Sequence, residues 1–316
     1  MKVLVTGVSG FVGSATCVRL VTQGMDVVGT VRQLPTQPLP GVDYRIVSDL
    51  NGDTDWRQAL TGVGAIIHCA GRVHVMRETA ADPLVAFRAA NVAGTEQLAR
   101  QAAVAKVRRF IFLSSVKVNG EGGSVAYCET DTPAPQDSYG ISKYEAELGL
   151  REIAVETGME MVMVRSPLIY GPGVKANFLA LMRALARGIP LPLGAIHNRR
   201  SMVALDNVVD LIVTCIQHPA AVNETFLVSD GEDLSTTELI HRLACAMCRP
   251  ARLVPVPTTV LITGLMLLGK REMARRLCGT LQVDITKVRK VLGWIPPVSV
   301  DEGLRRTAAH YLQQQS

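Results

Sequence analysis

Aromatic residues are scarce in this chain, at 4% of 316 residues. There are therefore few flat side chains on which the bases of a single-stranded nucleic acid could stack. Runs of basic residues are missing too, although 33 Lys and Arg outnumber 28 Asp and Glu and give a formal net charge of +5. This scattered positive balance suits an enzyme that binds small anions, and we expect no nucleic-acid partner.

Long apolar runs and a disulfide pattern are also lacking. The longest apolar run, Val260–Leu268, is shorter than the ~20 residues of a membrane-spanning helix, and we expect no signal peptide before the first strand. Seven irregularly spaced cysteines fit a reducing compartment. Cys245 and Cys248 form a CxxC without a second ligand pair, so we expect two half-buried helical thiols and no metal. A cytoplasmic location follows, with Val260–Leu268 as a surface helix that could touch a membrane or a partner.

Short apolar runs alternate with helical stretches through the first half of the chain. This alternation predicts an α/β fold, a Rossmann-type doubly wound parallel sheet covered by helices on both faces. The predicted strands are Val3–Thr6, Val27–Val31, Tyr44–Val47, Ala65–Cys69, Phe110–Ser114 and Met161–Arg165. The helices expected between them include Phe11–Gln23, Pro83–Ala103 and Ser138–Thr157.

The alternation becomes irregular after Arg165, where Pro and Gly interrupt the pattern. A further strand at Thr225–Val228 and a last helix at Val300–Gln313 are expected. We therefore predict a dinucleotide-binding domain from residues 1–166 plus about 206–231. A smaller, mixed C-terminal substrate lobe would comprise about 167–205 and 232–316.

A glycine turn follows the first strand and opens the first helix. Gly7 allows the tight turn, Gly10 allows the backbone to approach a pyrophosphate, and Gly13 lets the helix pack closely on the sheet. The phosphates would lie at the positive end of the helix. The position of this motif between a strand and a helix predicts a nicotinamide dinucleotide site.

The end of the second strand distinguishes the two nicotinamide cofactors. NAD sites usually place Asp or Glu there, whereas this strand ends without a carboxylate and is followed by Arg32. A guanidinium suits a 2′-phosphate, so NADP(H) is the preferred cofactor and NAD(H) a possible one; a solvated loop arginine is the alternative. Asp49 and Leu50 after the third strand, and the small residues 69–71 after the fourth, are expected to flank the cofactor.

The reacting groups are expected around a Tyr-x-x-x-Lys motif. Tyr139 and Lys143 lie on one helical face, and Ser115 lies at the carboxyl end of the fifth strand, where the sites of such sheets gather. An unperturbed phenol has a pKa of about 10, so we expect the ammonium of Lys143 to lower the pKa of Tyr139. Ser115 would hydrogen-bond the substrate oxygen.

With these motifs the chain resembles the extended short-chain dehydrogenases/reductases, the superfamily of nucleotide-sugar epimerases, dehydratases and keto-reductases. The matching motifs are the glycine turn, Asp49-Leu50, Asn91, Ser115, Tyr139 with Lys143, 165–173 and 200–206. Together with the glycine turn, the resemblance implies cofactor contacts from Gly7, Gly10, Phe11, Val12, Gly13, Arg32, Asp49, Leu50, Cys69, Ala70, Gly71, Asn91, Ser114, Tyr139, Lys143, Ser166 and Pro167. Substrate contacts are expected from Ser115, Lys117, Asn177, Leu193 and Arg200, with Asn177 and Arg200 at the nucleotide diphosphate.

Departures from the family pattern narrow the expected reaction. Sugar-nucleotide dehydratases carry an acidic pair after the catalytic Ser/Thr, whereas Val116 and Lys117 stand here, and Asn119 replaces a customary tyrosine. With residues 71–76, 116–119 and 177–182, the chain resembles bacterial reductases of UDP-4-keto-6-deoxy-N-acetylhexosamines. Lys117 and His74 are candidate pocket residues, although a surface lysine and a loop histidine are the simpler interpretation.

Our first hypothesis is NADPH-dependent reduction of the C4 ketone of such a UDP-sugar, giving UDP-QuiNAc or UDP-FucNAc type products for surface polysaccharide such as O-antigen. The alternative is a UDP-hexose or UDP-N-acetylhexosamine 4-epimerase with tightly bound NAD. A redox-sensing binding protein of this fold and a reductase of apolar ketones are further hypotheses. The resemblance also implies a homodimer formed through helices 83–103 and 138–157.

Overall fold

The computed structural model describes residues 1–73 and 82–315, so His74 and Met76 lie outside the described residues. Strands and helices largely alternate through the first half of the chain, as the sequence predicts. The strands are β1 (Lys2–Thr6), β2 (Asp26–Val31), β3 (Val42–Ile46), β4 (Val63–His68), β5 (Arg109–Ser115), β6 (Glu160–Ser166), β7 (Leu168–Tyr170), β8 (Arg200–Ala204), β9 (Glu224–Leu227) and β10 (Asp233–Leu234). The helices are α1 (Phe11–Thr22), α2 (Pro83–Arg88), α3 (Gly94–Val104), α4 (Ser138–Thr157), α5 (Ala176–Ala186), α6 (Leu205–Gln217), α7 (Thr236–Ala246), α8 (Thr258–Leu267), α9 (Arg271–Cys278), α10 (Thr286–Leu292) and α11 (Val300–Gln313).

Seven strands form one parallel sheet in the order β3-β2-β1-β4-β5-β6-β9. The chain winds outward from β1 through β2 and β3 and then continues on the other side of β1 at β4. Ligands of open α/β sheets bind at the carboxyl ends of the strands beside such a reversal. The register places Thr6, the last residue of β1, between Thr30 of β2 and His68 of β4.

Helices cover both faces of this sheet because its strands are apolar on both sides. Helices α1 and α6 pack together over one face, and α3 and α4 pack together over the other. Each layer closes a separate apolar core, one containing Leu20 and Ile212 and the other Leu98 and Leu150. The doubly wound α/β prediction is confirmed.

A second, smaller sheet lies in the C-terminal part. Strand β8 pairs parallel with β7 and antiparallel with β10, and helices α5, α7 and α11 contribute to a third core. Phe11, the first residue of α1, packs against both this core and the first. The mixed second sheet agrees with the expected lobe, while the predicted residue ranges of the two domains stay a prediction.

Two local features differ from the sequence predictions, and a third agrees with them. The helix predicted at Pro83–Ala103 is interrupted by a π-helical turn at Ala89–Ala93. Cys245 and Cys248 are both exposed and only Cys245 lies in a helix, so the expectation of two half-buried helical thiols is wrong. The apolar run forms α8, and no helix in the described part of the chain is long and apolar enough to cross a bilayer.

Candidate active site

The glycine turn forms a tight cradle at the amino end of α1. Gly7 has φ +72°, and a Cβ there would lie 2.8 Å from the Ala70 nitrogen. A Cβ on Gly13 would lie 2.2 Å from the Gly7 oxygen. Gly10 caps the helix without a side chain, and the first turn carries no acidic residue. These residues fit a dinucleotide, because the open backbone and the positive helix end suit a pyrophosphate.

The segment after β4 lies beside the glycine turn and is hydrogen-bonded to the π-helical turn. Asn91 is buried in that turn and accepts a hydrogen bond from the Arg72 nitrogen at 2.7 Å. Its amide nitrogen donates to Ser142 Oγ at 3.0 Å. A Cβ on Gly71 would lie 3.0 Å from Asn91 Oδ1 and 3.6 Å from Lys143 Nζ. The structure thus brings Gly71, Asn91 and Lys143 together beside the glycine turn.

Tyr139 and Lys143 project from the first turns of α4. Asp137 caps this helix by accepting a hydrogen bond from the Gly140 nitrogen at 2.7 Å. The ring of Tyr139 packs edge-on to Phe87, and its hydroxyl shares a hydrogen bond with Ser115. Lys143 Nζ donates to the Leu113 oxygen at 2.9 Å. The structure therefore brings the three predicted catalytic residues to the carboxyl end of β5.

The titration of these groups differs in one respect from the sequence expectation. Burial raises the pKa of Tyr139 to about 12, the hydrogen bond with Ser115 opposes this rise, and the charge of Asp137 adds to it. Burial lowers the pKa of Lys143 to about 8, against the influence of Glu147. Lys143 is not among the groups that lower the phenol pKa, so the expected lowering does not come from the chain alone. A cation bound beside the phenol would supply it.

The Ser114 side chain belongs to a buried polar network. Its hydroxyl donates to Glu147 Oε1 at 2.6 Å, and Glu147 forms a two-point ion pair with Arg165 at 2.9 and 2.6 Å. Arg165 also donates to Asn119 Oδ1 at 3.0 Å. All four side chains are buried. The Ser114 side chain therefore supports α4 from beneath, and Asn119 belongs to the same buried network.

Arg32 forms an ion pair with another predicted cofactor residue. Its guanidinium lies 3.3 Å from Asp49 Oδ1, and the two side chains are 79% and 76% exposed. Asp49 therefore places a carboxylate beside the very group expected to bind a 2′-phosphate. This arrangement gives no support to the predicted preference for NADP(H).

Lys117 lies close to Tyr139, and two carboxylates neutralise it. Its ammonium contacts Asp137 and lies 3.0 Å from Glu121 Oε1. Arg200 lies nearby, since its charge interacts with Glu121 and its guanidinium donates to the Gly279 oxygen at 3.0 Å. Residues 121–124, 136, 275 and 279–280 line a groove along this side. Lys117 and Arg200 thus share an electrostatic partner, Glu121, which lines this groove, and their contacts with a substrate stay a prediction.

The remaining predicted residues are more dispersed. Ser166 ends β6 and donates to the Ser114 oxygen at 3.4 Å, next to buried Pro167. Asn177 is exposed in the first turn of α5. The side chain of Leu193 is buried in the third core, as Val12 is in the first, so packing accounts for both. Leu50 packs beside Gly94. None of these positions by itself tests the predicted ligand contacts.

Sequence reasoning missed a buried network of hydrogen-bonded polar side chains beneath the site. His68 is fully buried, with Nδ1 2.7 Å from Thr6 Oγ1 and Nε2 3.0 Å from Thr95 Oγ1. Burial lowers the pKa of His68 to about 3, and the charge of Lys143 acts in the same direction. Thr6 also accepts from the Ala70 nitrogen at 3.1 Å. These hydrogen bonds connect the glycine turn to the small residues after β4. The sequence signal for the network was a histidine near the end of one predicted parallel strand and a threonine at the end of another.

Known proteins that are similar to this chain in sequence or fold include several 4-epimerases. A UDP-glucose 4-epimerase of Vibrio cholerae is 45% identical over 315 residues, 99% of this chain and 96% of its own length. A UDP-glucuronic acid 4-epimerase of Bacillus cereus, solved with NAD, superposes with a TM-score of 0.80 at 21% identity, over 99% of this chain and 97% of that one. A UDP-glucose 4-epimerase of Thermotoga maritima, solved with UDP-glucose, gives 0.79 at 22% identity over the whole of both chains. The two structures support the fold alone.

The family resemblance drawn from the motifs is confirmed at this level. The names of these relatives match the alternative hypothesis better than the first one, and the 4-keto reductase stays a prediction. A profile of the NAD dependent epimerase/dehydratase family matches residues 3–229. The chain is therefore a member of the NAD dependent epimerase/dehydratase family.

Proposed function

We propose that this protein is a 4-epimerase of a UDP-hexose or UDP-N-acetylhexosamine that works with tightly bound NAD. The observation that carries the proposal is the cluster of Ser115, Tyr139 and Lys143 at the carboxyl end of β5, beside the glycine cradle. The likeness to the Vibrio cholerae enzyme supports the choice of reaction. Val116 and Lys117 occupy the positions where dehydratases have their acidic pair, which argues against dehydration.

The chain would supply the proton chemistry of this reaction. NAD, held at the glycine turn, would supply reversible hydride transfer at C4 of the sugar. Tyr139 would take the proton of the C4 hydroxyl as the ketone forms and give it back to O4 afterwards. Ser115 would hold O4 by a hydrogen bond, and its bond to Tyr139 would favour the phenolate. Lys143, held by the Leu113 oxygen, would contact the cofactor.

Remote binding would hold the substrate during this exchange. Arg200 places a cationic group beside Glu121 of the groove, where it would anchor a nucleotide diphosphate. The charge of Lys117 is already neutralised by Asp137 and Glu121. Holding the diphosphate while the sugar turns lets both faces of C4 meet the same hydride position. Binding energy from the unreactive part of the substrate would thus position the reacting carbon.

A second candidate is the NADPH-dependent reduction of a UDP-4-keto-6-deoxy-N-acetylhexosamine, a step in surface-polysaccharide precursor synthesis. Its support is the sequence at the end of β2, which lacks a carboxylate and is followed by Arg32, although Asp49 pairs with this guanidinium. The same trio would serve, with Tyr139 giving its proton to O4. The two reactions differ in stoichiometry, because only the reductase consumes a nicotinamide cofactor.

One experiment distinguishes them. Purified protein is incubated with UDP-N-acetylglucosamine or UDP-glucose without added cofactor, and the 4-epimer is measured by chromatography. In parallel, UDP-4-keto-6-deoxy sugars are supplied with NADPH and nicotinamide absorbance is followed. We expect epimer to form and NADPH to persist. Stoichiometric loss of NADPH with no interconversion of the saturated sugars would overturn the proposal and select the reductase.

We also propose a homodimer formed through α3 and α4. Val104 and Val155 are 86% and 89% exposed near the ends of these helices, which pack side by side. A symmetric partner would cover this apolar surface. Analytical ultracentrifugation should show twice the chain mass, and a monomer at micromolar concentration would contradict the proposal.

A further inference from the structure

Helix α8 is apolar on all sides, yet none of its residues is buried. Leu267 is 84% exposed, Val260 60% and Met266 50%, and Leu268 directly after the helix is 69% exposed. Leu261 alone on this helix packs at the edge of the third core. The described residues contain exposed apolar side chains elsewhere, but these four are concentrated on one short helix. A soluble surface rarely carries such a patch without a partner.

The charged residues that flank α8 in the sequence are mostly basic, and Glu272 in the contacting helix α9 is the first acidic residue after it. The sequence has no Asp or Glu between Glu238 and Glu272. Lys270 and Arg271, immediately after α8, are exposed, and neither forms an ion pair within the described residues. The exposed Arg252 lies in the segment just before the helix. The apolar patch is therefore bordered by cations that are free to meet a negative surface.

We propose that α8, with Lys270 and Arg271, is a membrane-binding surface that lies in the interface of a bilayer containing anionic lipids. The ten residues of α8 extend over about 15 Å, half of the ~30 Å hydrocarbon thickness, so the helix can lie in the interface but cannot cross it. Apolar burial and attraction to anionic headgroups then act together, as in other interfacial helices.

Charge argues against the simplest competing occupant. If a second copy covered this patch across a two-fold axis, it would bring the same Lys270 and Arg271 toward their counterparts. Like charges brought together in this way oppose association. An anionic lipid surface presents the opposite charge to the same residues, and each basic residue near it contributes to binding.

The proposal is tested by co-sedimentation of the full-length protein with vesicles. Vesicles of equal parts phosphatidylglycerol and phosphatidylethanolamine should bind the protein, and phosphatidylcholine vesicles should bind it at least about tenfold more weakly. The double variant Leu267→Gln/Leu268→Gln should lose at least about tenfold in affinity for the anionic vesicles. The matched control Val125→Gln/Ile295→Gln replaces residues that are 76% and 71% exposed elsewhere, and should bind as the native protein does.

The contribution of the basic residues and the depth of insertion into the bilayer are measured with separate variants. Lys270→Ser/Arg271→Ser should weaken binding to anionic vesicles and reduce its dependence on salt. Both native tryptophans, Trp56 and Trp294, are buried, so the emission of a Leu267→Trp variant reports mainly on position 267. That emission should shift to the blue with anionic vesicles.

Three results would overturn the proposal. The first is that the native protein fails to bind anionic vesicles, and the second is that the control variant loses as much vesicle affinity as Leu267→Gln/Leu268→Gln. The third is that Leu267→Gln/Leu268→Gln has a smaller solution mass than the native protein while the native protein does not bind vesicles. The last result would assign the patch to a second copy. Because the replaced side chains are exposed, far-ultraviolet circular dichroism should show that every variant folds.

Discussion

Two ion pairs at the carboxyl edge of the sheet differ in burial and therefore in what they can do. Arg165 and Glu147 are 3% and 1% exposed and form two short contacts, whereas Arg32 and Asp49 are 79% and 76% exposed and form one contact of 3.3 Å. A buried charge without its partner is costly, but an exposed pair is screened by water and contributes little to stability. The first pair can only support the fold, while the second is free to bind a ligand.

The Lys117 cluster lies between these extremes. Its lysine is 21% exposed and contacts Asp137, the cap of the helix that carries Tyr139. This pair is close enough to the phenol for its charge to matter, since Asp137 raises the pKa of Tyr139. Burial thus separates a supporting pair, a tuning pair and an exposed pair around the candidate active site.

The largest effect on kcat is expected at the Tyr139 phenol, because none of the ion pairs can take over its proton transfer. Tyr139→Phe should lower kcat by about 10²–10⁴-fold, because the proton of the C4 hydroxyl loses its acceptor. Cofactor affinity and the free energy of unfolding should stay close to native values, since only a hydroxyl is removed. Steady-state kinetics and denaturation measure the two. A variant that keeps most of the native kcat would remove Tyr139 from the mechanism.

Breaking the buried pair should instead damage the fold. Arg165→Met leaves the carboxylate of Glu147 buried without its close cation, so the free energy of unfolding should fall by about 3–5 kcal/mol. Urea denaturation measures this change. Arg32→Ala is the matched control, because it breaks an exposed pair at the same edge of the sheet. If Arg165→Met and Arg32→Ala lower the free energy of unfolding equally, burial does not determine what the two pairs contribute to stability.

The sequence predicted those parts of the site that depend on the backbone. Gly7 and Gly13 permit a turn and a close approach that few other residues allow, so their spacing carries the geometry. The helical spacing of Tyr139 and Lys143 and the position of Ser115 after a strand are local in the same way.

Side-chain partners from distant segments could not be predicted. The Glu147–Arg165 pair, the bonds of His68 to Thr6 and Thr95, and the contact of Lys117 with Asp137 join different elements, and only the packed fold brings them together. Arg32 shows the same limit: the strand end indicated a 2′-phosphate partner, but Asp49 comes from the next strand along the chain. The interrupted helix at Ala89–Ala93 also depends on such a contact, since Asn91 there bonds the segment after β4.

A smaller effect is expected from the tuning pair. Lys117→Met leaves Asp137 less compensated, so the negative potential at Tyr139 increases and the pKa of the phenol rises further. If the phenolate is the base, activity rises with pH through this pKa. The rising limb of the kcat profile should therefore move to higher pH by about one unit, and activity at neutral pH should fall.

Two further variants separate this electrostatic role from a substrate contact. Lys117→Arg keeps the charge and should restore the native pH profile. Lys117→Met/Asp137→Asn removes both charges and should return the limb toward its native position. Within the described residues, Ser115 and Asp137 are the groups that shift the pKa of Tyr139, and Ser115 is unchanged in these variants. An increase in KM at an unmoved pH profile would assign Lys117 to substrate binding instead.

The smallest effect is expected at the exposed pair, where it decides between the two cofactors. With NAD as the resident cofactor, Arg32→Ala should change NAD affinity by less than about threefold, because the guanidinium is solvated and already paired with Asp49. Asp49→Asn frees the same guanidinium and should strengthen NADPH binding, since it removes the carboxylate that would repel a 2′-phosphate. Isothermal titration of both cofactors against the three proteins measures these changes. If Arg32→Ala weakens NADPH by about tenfold to a hundredfold while NAD binding is unaffected, a charge-assisted bond to the 2′-phosphate exists. The exposed pair would then be a cofactor selector, and the reductase would become the better-supported function.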